Sequence, residues 1–434
     1  MKIEISEPNN TSHSRIFFVG DILFNSDFWD SQPFSKELEK HINSAKISVG
    51  NLEAPLKSGD AIPKSGPVLS ITEETINLLS NDFDAVSLAN NHIMDYGEAG
   101  LKKTIERCDE KGVSTFGAGL NLNKALQPVE FQIGETLIGI FGVSEHELMI
   151  AAKNKAGALW ARTPAITDLI KQKSKKHDIK ILLAHGGLEY VPIPPRSWRD
   201  LLHGFADIGL DAIVAHHPHC AQGWEIKGTT PIFYSLGNFL MYNDRFSATE
   251  WCYGVDLKIA DKEVESASII PLKAENGKVK NIENSTSSDF LEYLTEVSKW
   301  LKDDRIYNKY WRNVALQRYD YYKKILGRFN RGILGALTEE PYYYILNTVK
   351  RKILEKDFRI KQEIDFTNKF RNESVRNTML TAIDLKVGLE ENDLTDTIKR
   401  EIEKWSEYYK GRKTKTKIEK IKDGIDKRKT SRTE

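Results

Sequence analysis

The chain has 434 residues, 40% of them hydrophobic and 10% aromatic, with a formal net charge of +1 at pH 7. That composition excludes a globally disordered chain and a uniform polyelectrolyte, and it suits one large domain with a smaller one. Residues 410–434 hold 11 Lys or Arg against 4 Asp or Glu, a local balance of +7 that leaves −6 for the rest.

Short β-type runs recur through the first two thirds of the chain. Arg15–Gly20 is apolar and ends at Gly-Asp. Lys46–Val49 ends at Gly-Asn, and Asp84–Leu88 ends at Ala-Asn-Asn-His. Further strands are expected at Leu137–Gly142, Ile179–Ala184, Asp211–Ala215 and Pro231–Ser235. Helical spacing of apolar residues marks Glu73–Asn81 and Glu98–Lys111 between them. Alternation of strand and helix argues for an α/β sheet.

From Val255 the pattern changes to hairpin strands, with turn signals at Ala260-Asp261 and Asn276-Gly277. Asn281–Asp289 reads as a polar linker. Residues 290–410 hold few Gly or Pro and read as a helical extension, interrupted around Gly327, Gly332 and Gly335. Residues 411–434 read as a basic, disordered tail. The tail is taken as a solvated end, with a contact to acidic lipid, nucleic acid or an anionic polymer as the alternative.

Cys108, Cys220 and Cys252 lie far apart with no CxxC pair, which fits a reducing compartment. Met1–Ser14 is polar, and no stretch reaches the roughly 18 apolar residues of a membrane span. The expectation is a soluble, cytoplasmic protein without a transmembrane segment.

The informative feature is where the polar residues fall. Asp21 follows the first strand. Asn51 and Glu53 follow the second, and Asn90, Asn91, His92 and Asp95 the third. His185 and Glu189 follow Ile179–Ala184, and His216, His217 and His219 follow Asp211–Ala215. The carboxyl ends of strands in an open α/β sheet converge on one crevice. Singly these residues say little. Asp21 alone reads as a cap or turn residue, and His185 alone reads equally as a core histidine. His217-Pro218-His219 is the strongest local signal, because imidazoles two apart in a loop can aim at one cation. Together they form a mixed oxygen and nitrogen set suited to zinc, manganese or iron, as one ion or an adjacent pair.

Seven segments also carry a resemblance. Val19-Gly20-Asp21, Gly50 to Leu56 (GNLEAPL) and Leu88 to Gly97 (LANNHIMDYG) come first. Gly117-Ala118-Gly119 with Asn121, Ala125 and Pro128 follows, then His185 to Tyr190 (HGGLEY), Ala215 to His219 (AHHPH) with Gln222, and Tyr234 to Phe239 (YSLGNF). In this order they resemble the bacterial capsule-synthesis CapA family of poly-γ-glutamate synthesis, within the calcineurin-like metallophosphoesterase superfamily, over about residues 15–275.

That resemblance implies a four-layer α/β/β/α sandwich of metallophosphatase type in residues 1–280, with a C-terminal helical domain. It implies Asp21, Glu53, Asn91, His185, His217 and His219 as metal ligands, His92 as the catalytic acid and a role in capsule polymer synthesis. The pattern departs from ordinary phosphoesterases where Leu23 replaces a histidine two residues after Asp21. It departs again where Asn51-Leu52-Glu53 replaces Asp-x-x-Asp.

Asp95 is read both as the orienting partner of His92 and as a turn residue. Asn90 is read as a substrate contact, Glu189 as either a substrate contact or a group supporting the metal ligands, and Asn238 as a structural loop residue. The function expected is a metal-dependent hydrolase acting on a phosphoester or γ-glutamyl linkage. The alternatives are a non-catalytic polymer-binding or scaffold protein, docking a synthase complex through its helices, and, more weakly, a phosphoesterase acting on nucleic acid.

Overall fold

The computed structural model describes residues 1–5, 13–24, 29–64, 66–173, 176–241, 247–275, 277–282, 285–327, 371–389, 395–398 and 400–401. In chain order, the strands of the first half are β1 (Lys2–Glu4), β2 (Ser14–Leu23), β3 (Ile47–Leu52), β4 (Ala85–Ser87), β5 (Ser114–Phe116), β6 (Ala118–Gly119), β7 (Val129–Ile133), β8 (Thr136–Ser144) and β9 (Gly157–Ala158). Those that follow are β10 (Ile179–His185), β11 (Ala212–His216), β12 (Trp224–Lys227), β13 (Thr230–Phe233), β14 (Asn238–Met241), β15 (Trp251–Ala260), β16 (Glu263–Glu275) and β17 (Lys278–Asn281). The helices are α1 (Lys36–Asn43), α2 (Glu73–Asp82), α3 (Gly97–Glu110), α4 (Leu122–Ala125), α5 (Pro164–Lys173), α6 (Arg196–Asp207), α7 (Ser285–Leu301), α8 (Asp304–Gly327) and α9 (Glu373–Lys386).

Two sheets make the body. One runs β1-β16-β15-β2-β3-β4-β5, with β14 also on β2 and β17 on β16. The other runs β12-β13-β11-β10-β8-β7. β2 to β5 are parallel, as are β8, β10, β11 and β13, so both centres need crossover helices and cover on both faces.

The period of two along β2 sorts its side chains. Phe17 and Val19 pack with Leu38, Ile42, Ile76, Leu79 and Leu101 of α1 to α3. Ile16 and Phe18 pack with Ile140, Leu182 and Ile213 of the second sheet. Ile166 and Ile170 of α5 and Trp198 and Leu202 of α6 join that same core from the helical side. The result is four layers, α/β/β/α.

Local chemistry sets the boundaries. Ser35 caps α1 by accepting from the Leu38 N–H at 3.2 Å. β15 turns into β16 through Asp261 and Lys262, both at positive φ, the two-residue turn whose twist matches the strands.

The stretch expected as a linker differs: α7 begins at Ser285 inside it. Ser and Thr are poor mid-helix residues but suit a first turn, whose N–H groups lack helical partners. α7 and α8 bury Phe290, Leu294, Val297, Trp311 and Val314 in the main core. The expected breaks at Gly332 and Gly335 and the expected disordered tail 411–434 lie outside the described residues. Among the described residues no helix is long and apolar enough to cross a membrane.

One close approach ties β14 to β2. A Cβ on Gly20 would lie 1.9 Å from the Gly237 carbonyl oxygen, which accepts from the Asp21 N–H at 3.1 Å. Gly20→Ala is therefore expected to destabilise the fold by about 3 kcal/mol or more, because backbone rather than a flexible side chain must move. Urea unfolding followed by circular dichroism measures it.

Candidate metal centre

Strand register builds the site. In the first sheet Asp21 on β2 sits opposite Asn51 on β3 and Asn238 on β14. A register shift between Phe18 and Asp21 re-aims the strand end. In the second sheet His185 on β10 sits opposite His216 on β11. Asp21, Asn51, His185 and His216 lie at carboxyl ends of parallel strands, Asn238 opens β14 beside them, and the loops after β3, β4 and β11 add Glu53, Asn91, His217 and His219.

Asp21, Glu53 and His185 each offer a ligand atom, and these lie within 4.8 Å of one another, all buried. His219 Nε2 is 3.7 Å from Glu53 Oε1, and His219 Nδ1 is 3.7 Å from Asp21 Oδ2. His185 Nε2 is 3.1 Å from Asn91 Oδ1 and 3.2 Å from His217 Nδ1. The six expected ligands thus come together.

Several buried atoms there have no hydrogen-bond partner. They include Asp21 Oδ2, both Glu53 oxygens and both His216 nitrogens. Orphaned buried acceptors are costly and rare, and a cation satisfies them. The donor set therefore fits a divalent metal ion.

Burial pushes the Glu53 carboxyl well above the usual carboxylate range, with the neighbouring Asp21 charge adding to it. Burial likewise holds His185 well below the usual histidine range, followed by His217, His216 and His219. His216 and His217 are lowered by burial too. Neutral imidazoles are the form that binds metal. Consequently the 4.0 Å approach of His185 to Glu53 is not an ion pair in this structure.

The backbone is strained at this point. His217 and His219 have φ of 101° and 57°. Such conformations cost about 1–3 kcal/mol each and gather at functional sites.

His92 and Asp95 stand beside the cluster. Asp95 Oδ2 is 2.8 Å from His92 Nδ1 and accepts from the Leu69 N–H at 2.7 Å. Asn90 spends its amide internally. Its Nδ2 donates to the Leu52 carbonyl at 2.8 Å, and its Oδ1 accepts from the His92 N–H at 3.1 Å. Glu189 is exposed at the rim.

Sequence reasoning passed over several participants. Asn238, read as a loop residue bonded to backbone, instead lies in β14 with Oδ1 3.0 Å from His219 Nδ1. The reason is the β14–β2 pairing, which a short strand beginning at Asn238 does not advertise. Lys64 comes from a loop with no motif. Its Nζ is 2.5 Å from Asp95 Oδ1 and 3.0 Å from His92 Nδ1.

Glu145 follows β8, so the strand-end rule applied there finds it. It accepts from the Gly187 N–H at 3.1 Å and from the Ser374 hydroxyl of α9. Other helical contacts brace the same loop. The Tyr307 hydroxyl donates to the Pro194 carbonyl at 3.0 Å, and Arg318 donates to the Tyr190 carbonyl at 2.8 Å.

A four-layer α/β/β/α sandwich that gathers buried carboxylates and imidazoles at one edge defines a scaffold for a divalent-metal site. The sequence profile described as "Bacterial capsule synthesis protein PGA_cap" matches residues 15–243, and the chain belongs to that family. It is 29% identical to "PGA biosynthesis protein CapA" of Bacillus subtilis (strain 168) over 235 residues, 51% of this chain and 62% of that protein. It is 30% identical to "Capsule biosynthesis protein CapA" of Bacillus anthracis over 288 residues, 62% of this chain and 69% of that protein. The chain thus spans less than two thirds of the B. subtilis protein. A solved phosphatase of Mycoplasma pneumoniae aligns at TM-score 0.39 and 11% identity, covering 61% of this chain and 95% of that one, too distant for functional inference.

Proposed function

We propose that this chain is a metal-dependent hydrolase of capsule polymer biosynthesis, acting on a phosphoester or a γ-glutamyl linkage. The unpartnered buried oxygens of Asp21 and Glu53 beside a ring of histidines support this reading. The names of the two Bacillus relatives point to a poly-γ-glutamate capsule as the setting.

Asp21, Glu53, Asn91, His185, His217 and His219 would hold the cation, with manganese, zinc or iron suited to these donors. The cation supplies Lewis acidity toward the oxygen of the scissile linkage. His92, oriented through Nδ1 by Asp95, delivers a proton from Nε2 to the leaving group. Lys64 partners Asp95 and so keeps that carboxylate compensated inside the fold. Glu189 at the rim contacts the substrate. Asn90 sets the loop that carries Asn91 and His92.

The test compares the full chain with His217→Ala. Bound metals are measured by elemental analysis, and hydrolysis is assayed with bis(p-nitrophenyl) phosphate and γ-glutamyl-p-nitroanilide. The wild type is expected to carry metal and turn over one substrate class. The variant is expected to lose both by at least about tenfold to a hundredfold. A folded wild type with metal but no turnover on either probe or on poly-γ-glutamate would favour a polymer-binding scaffold.

A further inference from the structure

We propose that the centre holds one divalent cation rather than two. This deepens the metal-centre reading above and rests on it.

Enclosed charge is the first argument. Asp21 and Glu53 are both fully buried and together bring two negative charges. Asp95 is buried as well, but Lys64 compensates it at 2.5 Å. Glu145 is spent on Gly187 and Ser374. The other donors, Asn91, His185, His217 and His219, bind a cation as neutral groups. Glu147 lies at the edge, partly exposed, and accepts from Asn91 Nδ2 at 3.0 Å. One divalent ion balances Asp21 and Glu53. A second would bring two further positive charges with no buried carboxylate left to meet them among the described residues, only the partly exposed Glu147 and the exposed Glu189 at the rim, so its desolvation would be poorly compensated.

Amide orientation is the second argument. The direction of Asn51 is set by a relay that starts at the backbone. The His92 N–H donates to Asn90 Oδ1, so Asn90 Nδ2 turns to the Leu52 carbonyl and, at 3.4 Å, to Asn51 Oδ1. Asn51 must then present its NH₂ to Asp21 Oδ1 at 2.8 Å and to His185 Nδ1 at 3.3 Å. Asn51 therefore turns a donor rather than an acceptor toward Asp21, and its oxygen, facing Asn90, adds no ligand through which a second cation could share Asp21. A carboxylate at position 51 would supply both the missing charge and the missing oxygen.

Chelator-stripped full-length chain titrated with Mn²⁺ by calorimetry, with low-temperature electron paramagnetic resonance of the loaded protein, tests this. One equivalent per chain and the spectrum of isolated ions are expected. Asn51→Asp is expected to take up two equivalents and show spin-coupled ions. Two equivalents on the wild type overturn the proposal. So does an Asn51→Asp protein that folds, by circular dichroism, yet stays at one. The wild-type count and spectrum decide the matter even where the variant does not fold. No Mn²⁺ uptake by a folded wild type sinks the metal-centre reading itself, which separates the two failures.

Discussion

Glu53→Gln is expected to weaken Mn²⁺ binding more than about 100-fold, near 3 kcal/mol, while making the metal-free protein more stable than wild type. The two effects have one cause. Glu53 is fully buried with both oxygens unpartnered, and it faces Asp21. A cation turns that repulsion into coordination. Without a cation, burial and Asp21 raise the Glu53 pKa, so the folded state favours the protonated acid. Its stabilising contribution is present below the ordinary carboxylate range and lost as pH rises through the raised folded value. Glutamine has no proton to lose. In chelator, the melting temperature of Glu53→Gln should therefore exceed that of wild type at neutral pH and approach it near pH 4. Equal melting curves at pH 7 would show that Glu53 carries no strain.

The second large effect concerns Glu145. Burial pushes its carboxyl up to about 8, against the Gly187 N–H and the Ser374 hydroxyl, which pull the other way. The folded pKa is raised, so stability from this group is complete below about pH 4.5, declines above it, and is exhausted once pH passes about 8. Glu145→Gln keeps an acceptor for Gly187 and removes the ionisation. It should match wild type near pH 5 and exceed it by roughly 2–4 kcal/mol at pH 8.5, a figure discounted for backbone relaxation. Urea unfolding across that range reads it directly. A pH-independent difference would mean that Glu145 stays ionised throughout and is held by its hydrogen bonds.

Much of the centre was legible because β structure reports its own ends. Arg15–Gly20, Ile179–Ala184 and Asp211–Ala215 are apolar runs of strand length, and each stops at a polar residue. Parallel strands place those stops at the carboxyl ends of each sheet, Asp21 in one and His185 and His216 in the other, and the packing of the two sheets face to face makes neighbours of residues widely separated in the chain. Lys64 was not legible, since nothing local distinguishes a loop lysine that folds onto Asp95 from one in solvent. Ser374 was equally silent. Its contact with Glu145 spans 229 residues and depends on where α9 docks.

By itself, then, the sequence determined the alternation of strands and helices, the strand-end placement of the metal-binding side chains and the membership of the family. These follow from periodicities of two and 3.6 residues and from short ordered motifs, which are local properties. Only the tertiary structure decided that Asn51 and Asn238 flank Asp21 in register, that Asn51 offers its NH₂ rather than its oxygen, and that C-terminal helices brace the His185 loop. Those facts depend on which strand lies beside which and on which amide face a distant backbone group selects, and neither is encoded in any stretch of neighbouring residues.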